Sequence, residues 1–348
     1  MPPTDACSVA EREPLPTGRG FRLVQIHPTL ACNLTCLHCY SESAPHFRQQ
    51  VPLEALQRFL GTAHAAGFDA ISLSGGEPLL YRPLEELLTF ARAEGFVTGL
   101  VTNGMLLETA RARRILGLLD LVAVSIDGEP DLHNRIRNAP NAFEKMERGL
   151  AVIRETGTRF GILHSVTRES WASLLWLADF AAERGASLLQ LHPLEAAGRA
   201  RTAMTGQELS PLDLHRLYVL YNYLRTRHEP AMTIQLDLMH REYVSQRPGL
   251  IYADETFLEN EAAGLETILD ELVIDERGQI LPFSYGLPDA YVLGTLAEKL
   301  PLESMFERFN RKRLPRLKRL LRRLHTEVLH SPETDLFNWG ERLVAQAA

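Results

Sequence analysis

The sequence predicts an α/β fold built on a parallel sheet, with a differently patterned carboxyl-terminal extension. Three observations carry this. From residue 21 to about 205, short runs rich in β-branched and apolar residues alternate with longer amphipathic segments, the pattern of strand–helix units. Cysteines at 32, 36 and 39 follow the first such run directly, and the chain holds only one other, Cys7. Past about residue 205 the alternation gives way to a helix, an acidic stretch and a hairpin. The expected organisation is therefore an arm at 1–20, a core at 21–205 and an extension at 206–348.

The strand candidates are Arg22–Ile26, Ala70–Leu73, Val97–Thr102, Leu121–Ser125, Phe160–Val166 and Leu188–Leu191. Between them, Pro52–Ala66 and Leu84–Glu94 repeat apolar residues at three- and four-residue steps, which predicts amphipathic helices. In parallel barrels of this kind, sites collect at the carboxyl ends of the strands. Beyond the core, Pro211–Arg227 reads as a helix. Leu272–Leu281 reads as a hairpin whose turn comes from Asp275 to Gly278.

Length and composition narrow the function classes. A chain of 348 residues has room for about two domains, or one barrel with an extension. A net charge of −7 argues against a general nucleic-acid binder. Residues 1–20 are polar and carry four prolines, and no apolar run reaches membrane-spanning length, so the expectation is a soluble, cytoplasmic protein with no membrane partner. A reducing compartment also suits unpaired cysteines.

Cys32, Cys36 and Cys39 are spaced for an iron–sulfur cluster. Thiolates hold such clusters, usually four to a cubane, and three ligands leave one iron open to an external molecule. Structural zinc is the alternative, with His38 or Cys7 completing a tetrahedron, although no second CxxC follows. The run Cys32-Asn-Leu-Thr-Cys36-Leu-His-Cys39 resembles the CxxxCxxC signature of the radical S-adenosylmethionine (SAM) superfamily. The resemblance implies a partial parallel (β/α)6 TIM-like barrel and one 4Fe–4S cluster whose open iron is chelated by SAM. It also implies an enzyme that cleaves SAM reductively to a 5′-deoxyadenosyl radical.

The later motifs fall where the resemblance expects them. Ser72-Leu-Ser-Gly75-Gly76-Glu77-Pro78 pairs glycines that let backbone approach a ligand. It resembles the family's GGEP element, which implies that Gly75, Gly76 and Glu77 receive the SAM ammonium. Thr102-Asn103-Gly104 resembles TNG, placing Asn103 behind the SAM site or against its ribose. In Val124-Ser125-Ile126-Asp127-Gly128, strand alternation sends Ser125 and Asp127 to one face. The likeness to SIDG implies that both face the ribose. After the fifth strand, Ser165 or His164 meets the SAM carboxylate or substrate, or both are core residues. Pro193 through Gly198-Arg199-Ala200 resembles the GRA element of enzymes carrying a SPASM or twitch extension, where Arg199 bridges to SAM or closes the barrel's open side.

The resemblance breaks in the extension. The hairpin is followed by Pro282-Phe283-Ser284-Tyr285, with no cysteine where that subgroup carries auxiliary-cluster ligands, and none occurs after Cys39. The extension is thus expected to be a cluster-free α+β unit resembling a degenerate SPASM or twitch domain. An external electron donor such as flavodoxin or ferredoxin is implied. Residues 308–323 hold nine Lys or Arg and no acid around a leucine stripe at 314, 317, 320, 321 and 324. This is either a docked helix with a solvated basic face or a dock for an acidic partner. The favoured substrate is a ribosomally made precursor peptide. A tetrapyrrole or other carboxylate-rich small molecule, and a non-catalytic metal-binding or regulatory role, are the alternatives.

Overall fold

The computed structural model describes residues 20–251, 255–330 and 335–348. Cys7, with most of the amino-terminal arm, and Asp254 of the acidic stretch lie outside the described residues. Seven strands run parallel in chain order: β1 (Leu23–Ile26), β2 (Ala70–Leu73), β3 (Val97–Thr102), β4 (Leu121–Ser125), β5 (Phe160–Val166), β6 (Leu188–Pro193) and β7 (Thr233–Leu236). Helices α1 (Leu53–Ala65), α2 (Leu84–Ala93), α3 (Ala110–Leu116), α4 (Pro130–Ile136), α5 (Ala142–Thr156) and α6 (Leu174–Glu183) fill the first five crossovers. The parallel α/β sheet expected from the alternation, and the partial barrel that the resemblance implied, are observed, with β7 as a seventh strand beyond the six expected.

Local sequence explains the elements. In β3, Thr98, Leu100 and Thr102 are buried under the helices, while Val97, Gly99 and Val101 are half-buried on the inner face, the period-two pattern of a strand. Helix α1 buries Leu56, Phe59, Leu60 and Ala63, a single stripe worth roughly 1.5–3 kcal/mol for each large side chain. Thr109 caps α3 by accepting from Ala112 N, and Gly157 ends α5 in the left-handed conformation. After β6 come the short α7 (Ala200–Ala203) and α8 (Pro211–His228). Ser210 and Asp213 form a capping box on α8, with Pro211 in its first turn.

The hairpin does more than follow the barrel. Its strands β9 (Glu271–Ile274) and β10 (Gln279–Pro282) come after β8 (Met239–His240), α9 (Arg241–Gln246) and α10 (Glu255–Glu259). Strand β9 lies parallel to β1, with Leu23 opposite Glu271 and Ile26 opposite Ile274. Antiparallel β10 and β11 (Gly294–Thr295) then extend the same ten-stranded sheet, so β1 is an interior strand. Asp275 accepts from the backbone N–H groups of Arg277 and Gln279, and Gly278 takes a positive φ, which fixes the turn.

The leucine stripe is buried as its spacing suggests, but its bases span two helices, α11 (Leu302–Lys312) and α12 (Leu314–His330). Pro315 sits in the first turn of α12, where its missing N–H costs nothing. Of the nine bases only Lys318 is buried and six are exposed, yet five, Arg308 among them, bond protein oxygens. Lys318 donates to Asn260 O at 2.7 Å, Arg322 to Leu258 O, Arg313 to Asp289 O and Val292 O, and Arg323 to Gln346 O. This is a docked helix pair with a solvated basic face, tied at several points to neighbouring carbonyls. The chain ends in β12 (Leu336–Phe337), paired with β8, and α13 (Trp339–Ala347). Among the described residues, no helix is long and apolar enough to cross a membrane.

Candidate active site

The cysteine loop leaves the carboxyl end of β1. Cys32 and Cys36 are buried and Cys39 is half-buried, and the three pack with Leu34, Met105 and Ala139. Each sulfur has a polar neighbour. Cys32 Sγ accepts from Leu34 N at 3.4 Å and is approached by Asn103 Nδ2 at 3.9 Å. Arg137 Nη1 reaches Cys36 Sγ at 3.8 Å, and Ser41 Oγ lies 3.5 Å from Cys39 Sγ.

Two neighbouring turns clamp this loop. Gly76 N donates to Thr29 O and Glu77 N to Ala31 O, and a Cβ at Gly76 would stand 2.3 Å from Ala31 O. The paired glycines therefore let the turn after β2 approach the cysteine loop itself, where the sequence suggested approach to a ligand. Arg199 is a second clamp. Its Nε donates to Cys36 O at 2.8 Å, its Nη2 to Ser43 O at 2.9 Å and its backbone N–H to Cys39 O at 3.0 Å. Gly198, at φ 51°, passes so close that a Cβ would meet Tyr40 O at 2.2 Å. The guanidinium thus holds the backbone of the cysteine loop.

Two carboxylates read as SAM-facing are turned inward. Glu77 is fully buried and accepts from Leu79 N, Thr102 Oγ1 and Asn103 N. Burial pushes its carboxyl up to about 6 against these three donors. Asp127 is also fully buried. Its oxygens accept from Arg137 Nε at 2.6 Å and Nη2 at 3.1 Å and from His38 Nε2 at 3.0 Å. Burial alone would raise it, but Arg137 and then His38 hold it well below the usual carboxylate range. Alternation failed here because the chain leaves the strand after Ser125, so Ser125 stays half-buried while Asp127 turns under the cysteine loop.

The other expected residues divide. Asn103 is buried behind the loop, donating to Asn33 Oδ1 at 2.8 Å and accepting from Met105 N. Ser165 is half-buried at the end of β5. His164 is a satisfied core residue between Ile126 O and Ser170 Oγ.

These residues fit a cluster. Burial, then the Glu77 charge, pushes the Cys32 thiol up to about 12, and burial raises Cys36 against Arg137, so both thiolates require a bound cation. Zinc fits poorly. His38 is committed to Asp127, and among the described residues no three His, Cys, Asp or Glu side chains converge as the ligands of one ion would. Three thiolates that each take a different iron of one cubane gather around it more loosely than the ligands of a single ion.

The family model described as the Radical SAM superfamily matches residues 26–181. These residues form a radical SAM domain. The family uses a 4Fe–4S cluster and SAM. Fe-coproporphyrin III synthase of Methanosarcina barkeri is 29% identical over 216 residues, 60% of this chain and 54% of that one. The chain spans about half the length of the curated relatives it matches. In fold, SuiB of Streptococcus suis bound to SAM superposes with a TM-score of 0.64 at 20% identity, over 82% of this chain and 65% of SuiB. Native anSMEcpe with bound AdoMet and the Cp18Cys peptide gives 0.62 at 19% identity, over 93% and 95%.

On the inner side of the radical SAM domain, residues the motifs did not flag line the approach to the cysteine loop. His27, at the end of β1, stacks on Tyr285 with ring centroids 4.5 Å apart, and Tyr40 meets Tyr285 edge-on at 5.4 Å. Burial lowers His27 to about 3, and neither ring nitrogen has a partner. Tyr285 donates to Glu276. At the ends of β6 and β7, His192 pairs with Asp237, to which Gln190 also donates. Burial, then the neighbouring Glu341 charge, raises Glu195. Glu271 on β9 is pushed up to about 7 by burial and by the Asp237 charge just past β7. Tyr40, His192, Glu195, Glu276 and Tyr285 lie in or beside segments already singled out in the sequence, whereas His27, Asp237 and Glu271 carry no signature.

Proposed function

We propose that the chain is a radical SAM enzyme whose Cys32, Cys36 and Cys39 ligate the cluster and whose substrate presents a cationic group, in the first instance a side chain of a ribosomally made peptide. When bound, the cluster and SAM supply one-electron cleavage to an adenosyl radical that abstracts hydrogen. The protein's own residues hold the loop, through Arg199 and the turn at Gly76, and exclude water with the apolar lining of the barrel. Ser125 and Ser165 are the hydroxyls left half-buried at the strand ends for SAM, with the backbone at Gly75 and Gly76 receiving its amino group.

The observation that carries the substrate reading is the charge of the interior. Glu276 bonds Tyr285 and, with Glu195, acts on Tyr40, while Asp237 acts on Glu271 and is already paired with His192, the histidine at the end of β6. Aromatic faces and carboxylates together recognise ammonium and guanidinium groups. A carboxylate-rich tetrapyrrole would enter against that charge. The tetrapyrrole reading is kept because the relatives named for coproporphyrin and heme synthesis share the matched sequence. This sequence holds no cysteine after Cys39, so electrons are proposed to come from an external flavodoxin or ferredoxin.

Reconstituted protein, reduced and examined by EPR with and without SAM, tests the cofactor part, and a SAM-dependent change of the cluster signal is expected. Binding of lysine-rich and glutamate-rich peptides and of coproporphyrin III, measured by fluorescence on the same sample, tests the substrate part. Preference for the porphyrin would reverse it.

A further inference from the structure

Helix α4 begins just after Asp127-Gly128 and ends at Ile136, delivering Arg137 beneath the cysteine loop. Arg137 is buried, 7% exposed as a residue, inside a shell that gives it two kinds of partner. On one side its Nε and Nη2 bind both oxygens of Asp127, at 2.6 and 3.1 Å. On the other, Nη1 lies 3.8 Å from Cys36 Sγ. Asp127 completes a fork. Besides Arg137 it accepts from His38 Nε2 at 3.0 Å, and His38 lies between Cys36 and Cys39 in the loop. His133, one helical turn before Arg137, accepts from Asp127 N at 3.2 Å and fixes the strand exit. No other sulfur of the loop has a charged donor among the described residues. Cys32 receives a backbone N–H and an amide, and Cys39 a hydroxyl.

An arginine buried with an aspartate is neutral as a pair, and burying both ions is expensive. A well-packed apolar pair would fill the space at less cost. The arrangement makes sense where a third charge completes it, and the third group in contact is the Cys36 sulfur. Charge and hydrogen bonds at cluster sulfurs shift the reduction potential. A guanidinium donating to one thiolate favours the more negative, reduced state and raises the potential. The aspartate behind it sets how much of that positive charge the sulfur feels.

We infer that Arg137 is a positioning residue that acts through Cys36, and that Arg137 and Asp127 together set the reduction potential of the cluster and hence which external donors can reduce it. This rests on the assignment of Cys36 as a cluster ligand. The pair therefore links the strand exit after β4 to electron entry, a role separate from contact with the SAM ribose.

The two halves of the pair make opposite predictions, which a structural role does not. The test is an anaerobic EPR-monitored redox titration of the reconstituted native protein and of Arg137→Gln, Arg137→Lys and Asp127→Asn, each normalised to its iron content. Arg137→Gln is expected to move the midpoint to more negative potential, Arg137→Lys to move it less, and Asp127→Asn to move it to more positive potential. Shifts of the same sign in the glutamine and asparagine variants, or no shift in either, overturn the inference. Should Arg137→Gln fail to hold a cluster, Asp127→Asn decides alone, a positive shift supporting the inference and an unchanged or negative one overturning it. A native protein that assembles no cluster would overturn the cysteine assignment instead, so the two failures are distinct.

Discussion

Glycine at 198 and glutamate at 271 show how single side chains are fixed by neighbours far away in sequence. Gly198 combines a left-handed backbone with the approach of Tyr40 O, so Gly198→Ala must displace the loop or the β6 exit. The expected cost is about 1–3 kcal/mol in a denaturant melt, together with lower iron loading. Arg199→Ala removes two side-chain bonds to the loop carbonyls, and iron content per chain should fall while the helical circular dichroism persists. Glu271 gives a pH test. Its carboxyl ionises near 7 in the folded state and near the ordinary 4.5 when unfolded. Between those values the folded state holds the extra proton, so native stability falls as pH rises through that window, by up to about 1.4 kcal/mol per unit. Glu271→Gln should raise Tm at pH 8 and leave it nearly unchanged at pH 4.5.

At the scale of elements, much was legible and the gaps have a cause. Strands β2 to β5 carry enough β-branched and apolar residues to mark their own bounds, and Cys32, Cys36, Cys39 and the turn at Gly75 and Gly76 are local motifs. Partners are not local. Arg199 reaches the loop across 163 residues, and Arg137 meets Asp127 only because α4 folds back under β4. Strand alternation placed Ser125 on the inner face but could not foresee that the chain turns before Asp127. Strand β7, with its weak Thr233-Ile-Gln-Leu236 pattern, gave no signal above its surroundings. The basic run likewise read as a charge pattern, because nothing in a sequence says which carbonyls a lysine will find. Replacing Lys318, which is buried against Asn260 O and 4.5 Å from the centre of the Phe257 ring, by alanine should cost about 1–3 kcal/mol. Charge removal at Arg311 or Arg319, both exposed and without a side-chain partner among the described residues, should stay within about 0.5 kcal/mol, as chemical denaturation would show.

For the whole molecule, the extension and the barrel share one sheet. Leu272 and Ile274 of β9 pair beside Val24 and Ile26 of β1, and all four are fully buried. A chain cut after residue 205 would expose that edge and lose β7 on the other side, leaving apolar strand edges open to aggregation. Such a fragment is expected in the insoluble fraction. The shared sheet also brings Tyr285 onto His27 and beside Tyr40, so the extension supplies part of the wall in front of the cysteine loop.

The central claim is that this loop and chamber run radical SAM chemistry. Its most direct test is mass-spectrometric detection of 5′-deoxyadenosine after anaerobic cluster reconstitution, with dithionite, SAM and a lysine-containing peptide. The native protein is compared with the chain in which Cys32, Cys36 and Cys39 are all alanine. Deoxyadenosine from the native protein alone is the predicted result. Its absence from native protein carrying a full cluster and binding SAM, or equal amounts from the triple variant, would contradict the account.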